Sequence, residues 1–387
     1  MFWHKQLKYI TILYFMVFCY VSGQAQNIIP NHSNAIEINS AQNLLYSADW
    51  YRQQEIQWRN VIKESEDSPE AWFNLYKARR YSNYTGTTKD IPAMEQAVLD
   101  GIVDDMQKHV PNSFEFCYTK YLNGNNDPGL FPYLEKAYGL EPHNVELYDD
   151  MIAYYELTGN ENKKKEFCRI WNNSNDIPAD IMNYNYNVLM SLEQNAILIT
   201  NGKYDTYPVL ILQNVKNIRP DVMVLNIDLL LNQDYRERMF SKTGIVLASD
   251  NDINTDKSGF FKALVENNSG KTVYFGLTVS PEVISLFKDK LYPTGLVLKY
   301  SDQDFDNLSV LVKNWEDNFK KDYLKDMQPV NGMGVQLSVN YILPLMLIYK
   351  YYKELGNDKD MDEVLKIMER IAGNYGMEDV IDRYLAE

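Results

Sequence analysis

The residues of this chain best suited to chemistry are Asn201, Gly202, Lys203, Asp205 and Thr206, clustered in six positions, with Asp228 farther along. Asn201-Gly202 suits a tight turn whose amides could bind an anion. Lys203 would add a cation. Asp205 and Asp228, if brought together, could run acid–base chemistry or hold a divalent cation. The same residues have a plainer use, because Asp205 or Thr206 can cap a helix and Asn201 can shape a loop. Two readings therefore stand side by side: a ligand-binding loop, or a loop built only to turn the chain.

Nothing else in the sequence carries a catalytic pattern. There is no GxSxG elbow, no Walker loop and no GxGxxG, so no catalytic residue is assigned. His32, His109 and His143 are scattered, and no HxxxH or CxxC spacing exists, so neither a metal nor a cofactor is expected. Asp302, Asp304 and Asp306 alternate as in a calcium loop. No glycine follows at the sixth position and no glutamate closes the set, which leaves a solvated loop as the expectation.

The elements that would position the first cluster are legible. Ala196–Thr200 is a short apolar run with β-branched residues, hence a strand. Pro208 suits the first turn of a helix running through Val209–Val215, and Arg219-Pro220-Asp221 ends it. Val222–Ile227 is a second apolar strand. Two such strands joined by a helix form a βαβ unit with parallel strands. Ligands of parallel sheets bind beyond the carboxyl ends of the strands, where 201–206 and Asp228 would lie.

The same stretch carries a family resemblance. Thr200-Asn201-Gly202-Lys203-Tyr204-Asp205-Thr206-Tyr207-Pro208, Arg219-Pro220-Asp221 and Val224-Leu225-Asn226 resemble the soluble region of bacterial protein O-mannosyltransferase-like membrane proteins. Lys271–Phe275 and Gly295–Leu298 extend the resemblance, which spans roughly residues 190–373. Lys203 and Tyr204 stand where that family has an acid and an amide. The membrane-embedded half that would carry transferase chemistry has no counterpart here, so the resemblance implies an accessory envelope module.

Five regions are expected. Residues 1–25 read as a secretory signal, with Lys5 and Lys8 before the apolar run Ile10–Val21 and small residues Gly23 and Ala25 at the cleavage point. Residues 26–39 read as a flexible leader. Residues 40–193 show helical periodicity, from Ala41, Leu44, Leu45 and Ala48 onward, with Pro-led restarts at Pro69, Pro111, Pro142 and Pro178. Those restarts resemble tetratricopeptide repeats of irregular spacing. Residues 194–306 read as a small parallel α/β domain with four parallel strands, including Lys271–Gly276 and Leu296–Tyr300, and with a helix at Pro281–Leu291. Residues 307–387 read as a helical segment. The fold class is thus α+α/β: a helical-hairpin array, then a parallel α/β domain with a helical tail.

Composition narrows the partners. The formal charge is −15, and removing Lys5 and Lys8 leaves 36 basic against 53 acidic residues, a formal −17. Nucleic acid and anionic membranes are poor partners for such a surface. No run beyond the leader has the roughly 20 apolar residues of a membrane helix. Cys117 and Cys168 could pair in an oxidising compartment or remain buried thiols. The helical region is rich in Trp and Tyr, among them Trp50, Tyr51, Trp58, Trp72, Tyr76, Tyr148, Tyr154, Tyr155 and Trp171. Most such residues pack in cores, and any left over would offer rigid contact area. The expectation is an exported, periplasmic or cell-envelope protein that binds a protein or peptide and lacks catalytic activity. The alternative is a glycan-binding or enzymatic component of carbohydrate or glycoprotein processing.

Overall fold

The computed structural model describes residues 34–39, 46–83, 91–125, 127–247, 252–287, 289–326 and 333–386. The expected leader at 1–25, positions 41–45 of the expected first helix and loop residues 84–88 lie outside these. The described chain divides into two compact units, one up to Asn160 and one from Glu161 onward.

The first unit is helical: α1 (Ala48–Glu64), α2 (Pro69–Tyr81), α3 (Ala93–His109), α4 (Phe114–Asn123), α5 (Phe131–Leu140) and α6 (Tyr148–Thr158). Helix starts follow local chemistry. The Ser68 hydroxyl accepts from the Ala71 amide at 3.3 Å and Pro69 takes the first helical position, where its missing N–H is harmless. Ser113 caps α4 in the same way, 3.0 Å from the Phe116 amide. The helices pack in sequence, α1 on α2, α4 on α2 and α3, and α5 on α4. Trp50, Tyr51, Trp58, Trp72, Tyr76, Tyr148 and Tyr155 are all buried, so these aromatics form the core. Tyr154 is half-buried and stacks on Phe131, ring centres 3.6 Å apart.

The second unit opens with α7 (Glu161–Ser174) and α8 (Ala179–Met190), and then alternates strand and helix. These are β1 (Ile197–Thr200), α9 (Tyr207–Lys216), β2 (Met223–Asn226), α10 (Gln233–Thr243), α11 (Lys257–Glu266), β3 (Val273–Gly276), α12 (Pro281–Ser285), β4 (Leu291–Pro293) and β5 (Val297–Tyr300). The sheet order is β2-β1-β3-β5-β4. Ile197 faces Met223 on one side and Val273 on the other, both in parallel register. Every residue of β1 is buried, as befits an interior strand of a covered sheet. Helix α9 packs against α7 and α8. A run of rings, Phe261, Phe275, Phe287 and Tyr300, links α11 to β3 and β5.

The all-parallel expectation does not hold. β5 pairs antiparallel with β3, Phe275 opposite Leu298, and β4 pairs antiparallel with β5. The reason lies in the connection. The helix expected to run through Pro281–Leu291 ends at Ser285, and Leu291–Pro293 is a strand. Leu291–Pro293 thereby becomes an additional edge strand running the same way as β3, and the hairpin from it into β5 places β5 antiparallel between the two. Gly244 closes α10 in the left-handed region (φ 66°), and a loop follows.

The tail is helical: α13 (Asn307–Lys313), a π turn at Asn314–Asn318, α14 (Asp322–Lys325), α15 (Met333–Ser338), a 3₁₀ turn at Val339–Tyr341, α16 (Ile342–Leu355), α17 (Asp358–Tyr375) and α18 (Glu378–Ala386). It is tied to α8 through Asn187, whose amide donates to the Tyr341 hydroxyl at 2.6 Å and the Lys320 carbonyl at 2.8 Å. The architecture is α+α/β, with a small mixed sheet where a parallel one was expected. Cys117 and Cys168 are both buried free thiols. Among the described residues, no helix is long and apolar enough to cross a membrane.

Candidate functional site

Strands β1 and β2 finish on the polar residues Thr200 and Asn226, and Thr278 lies two residues past the end of β3. Loop 201–206 runs across them. Its first turn uses Gly202 at φ +112°, a conformation that favours glycine. Thr206 occupies the N-cap position of α9, yet its side chain caps nothing. The hydroxyl lies 2.8 Å from that of Thr200 and accepts from the Asn226 side-chain amide at 2.9 Å. Asn226 in turn uses its carbonyl oxygen to receive the Asp228 and Leu229 amides, at 2.8 and 3.1 Å.

Asp205 is the hub. It is 5% exposed. One carboxylate oxygen accepts the Asn201 amide at 2.7 Å and the Thr278 hydroxyl at short range; the other lies 3.3 Å from the Thr206 hydroxyl. Asp205 therefore straps its own loop to the segment that follows β3, and does not cap the α9 amides. A weaker contact, Asn201 side-chain amide to Thr278 carbonyl at 3.4 Å, runs beside it. From α8, the buried Asn185 donates to the Tyr204 carbonyl at 2.7 Å and fixes the middle of the loop. Gly276 lets β3 approach closely, since a Cβ there would stand 3.3 Å from the Thr278 hydroxyl and 3.4 Å from the Ile199 carbonyl.

Asp205 makes no ion pair with any described residue. Burial pushes its carboxyl up to about 6, against the opposing pull of the hydrogen bonds from Thr278 and the Asn201 amide. Lys203 is turned elsewhere, its ammonium 5.2 Å from the Trp171 ring centre and 5.7 Å from that of Tyr204. Asp228 is exposed, and no hydrogen bond or ion pair joins it to Asp205. The structure thus draws together Asn201, Gly202, Asp205 and Thr206, leaves Lys203 over aromatic rings and sets Asp228 apart on the surface. Thr200, Asn226 and Thr278 complete the cluster and escaped the sequence reading. The signal for the first two was there: a polar residue ending an apolar run marks the strand's carboxyl edge.

The opposite edge of the sheet holds a second polar cluster that sequence reasoning treated only as a helix stop. Arg219 sits at φ 47° and sends its guanidinium to the carbonyls of Leu189, Leu192 and Glu193, at 2.9, 2.7 and 2.7 Å. It also pairs with both oxygens of Asp221 at 2.9 Å, and Asp221 accepts the Asn195 amide at 2.9 Å. The hydrogen bonds from Arg219 hold the Asp221 carboxyl down to about 2. This clamp closes the carbonyl end of α8 and joins the turn before β1 to the turn before β2.

Elsewhere the acidic loop behaves as a surface loop. Asp302 takes the Lys290 ammonium at 2.6 Å and the Tyr300 hydroxyl at 2.7 Å, while Asp306 caps α13. Among the described residues no cluster of His, Cys, Asp and Glu could hold a metal ion.

The fold defines an α/β module with a hydrogen-bonded polar network at each end of its parallel strands. Residues 181–244 match the family model described as TMEM260-associated domain 2. The match begins in α8 and ends after α10, so it contains the Arg219–Asp221 clamp and the Asp205 loop but stops short of Thr278. No curated protein matches the chain.

Proposed function

We propose that this chain is an exported cell-envelope binding or scaffold protein, in which the helical unit holds a protein or peptide partner and the α/β unit adds a second surface. The observation that carries this reading is the closed carboxyl edge. Residues that could have formed an acid–base pair are divided, Asp205 buried on its own chain and Asp228 exposed alone. An acid and a base must both reach a reacting atom, and this arrangement offers no such convergence. The leader pattern at residues 1–25 supports export. The resemblance to the soluble region of protein O-mannosyltransferase-like membrane proteins, together with the TMEM260-associated match, supports an accessory role beside a membrane protein.

Affinity capture of envelope extract on the chain without residues 1–25 tests the reading. The expected result is one polypeptide retained in a fixed ratio, which rebinds saturably after purification. Retention of glycan with no polypeptide would transfer support to the alternative, a ligand-binding component of carbohydrate processing.

A further inference from the structure

In this sheet β1 connects to β2 on one side, and the chain then crosses to β3 on the other. The connections leaving β1 and β3 therefore run to opposite sides, and such a switch point is where α/β proteins bind ligands, in the crevice beyond the strand ends. Here that crevice is bridged by the chain itself, through Asp205 to Thr278 and the Asn201 amide. The bridge hangs on a single carboxyl group. Its bonding partners are all uncharged: the Thr278 and Thr206 hydroxyls, the Asn201 amide and its own backbone amide. The ionisable groups of the surrounding elements do not pair with it. Lys203 lies over Trp171 and Tyr204, Tyr204 and Tyr207 are phenols of the loop and α9, Asp228 beyond β2 is exposed, and Glu282 sits on α12.

We infer that Asp205 is a proton-sensitive latch on the β1/β3 crevice, held shut by protonation and loosened by ionisation. A carboxylate enclosed without a counter-cation prefers either a proton or access to water. The closed loop supplies the proton-bearing form with neighbours. A proton on the oxygen facing Thr206 can be donated to that hydroxyl, which still donates to Thr200, while the other oxygen keeps Asn201 and Thr278. Opening the loop hydrates the carboxylate and returns it to ordinary behaviour. The closed state therefore binds more protons than the open one, and acid favours closure.

Amide hydrogen exchange on the full chain reads the latch directly, because the Asn201 N–H is one of the strapped groups. With a closed-state carboxyl near 6 and an open one near 3.8, the opening constant at Asn201, corrected for intrinsic exchange, should be about tenfold larger at pH 7.5 than at pH 5. In Asp205→Asn that pH dependence should vanish. A pH-independent opening constant in the wild-type chain overturns the inference, and so does equal pH dependence in the Asn variant. A carbon-13 titration of the Asp205 carboxyl in the unmutated chain covers failure of the variant to fold. A midpoint near 6 supports the latch, and a midpoint at the ordinary carboxylate value overturns it.

Discussion

The two ends of the parallel part of the sheet are fastened by opposite chemistry. At the amino edge, Arg219 and Asp221 form a charged clamp: a guanidinium with three carbonyls and a carboxylate, its acid partner held down to about 2. At the carboxyl edge, Asp205 is buried among hydroxyls and an amide, with its carboxyl pushed up to about 6. One fastener keeps its charge compensated at any pH a cell encounters. The other carries a charge that nothing compensates. The difference teaches where this unit is rigid and where it can respond: counter-charge makes a permanent fastening, whereas an isolated buried carboxyl makes one that depends on protons.

The comparison breaks most readily at the clamp. Arg219→Ala should cost the most, about 3–4 kcal/mol, because three carbonyls and Asp221 lose their donor together. Urea unfolding monitored by circular dichroism reads this loss. Arg219→Lys should recover little, since one ammonium cannot span the same fork of acceptors. If Arg219→Ala costs less than Asp205→Ala, the ranking of the two edges is wrong.

A smaller loss is expected at the other edge. Asp205→Ala leaves the half-buried Asn201 amide and Thr278 hydroxyl without this acceptor, a cost of about 2 kcal/mol in the same unfolding assay. Asp205→Asn preserves the shape and removes the uncompensated charge, so its stability at pH 7 should stay within about 1 kcal/mol of the wild-type value.

Acid titration sharpens the contrast in sign. Asp205 has a folded value near 6 against an ordinary 3.8, so the folded state holds the extra proton between these limits. Its contribution to stability is greatest at and below the lower value and declines as pH rises from about 4 to 6. Asp221 has a folded value near 2 against 3.8, so its contribution is present above 3.8 and is lost as pH falls towards 2. Melting temperatures of the wild type minus those of Asp205→Asn should fall across pH 4–6. The corresponding difference for Asp221→Asn should rise across pH 2–4. A flat profile in either series removes the contrast.

The smallest effect belongs to Asp228. Exposed and bonded through its backbone amide, it should tolerate Asp228→Ala within about 0.5 kcal/mol. A loss above 1 kcal/mol in the same melts would show that Asp228 belongs to the carboxyl-edge network after all.

Much of this molecule was written locally. Ser68 and Pro69 start α2 as their chemistry demands, and the apolar runs Ile197–Thr200 and Met223–Asn226 are the parallel strands expected of them. Capping, proline geometry and side-chain periodicity act within a turn or two of chain, so the sequence displays them. The mixed sheet was not legible, because the antiparallel return at β5 depends on Leu291–Pro293 pairing as an edge strand and not continuing α12. Thr278 was not legible either. It lies 73 positions from Asp205, and only pairing of β1 with β3 brings the two together. The sequence by itself determined a βαβ unit with a polar loop after β1 and an acid in that loop. Tertiary structure decided where the acid points. A carboxylate at a helix start has several donors within reach, and the sheet edge that assembles around it selects among them. The same acid that local rules would make a helix cap thereby became a strap between strands.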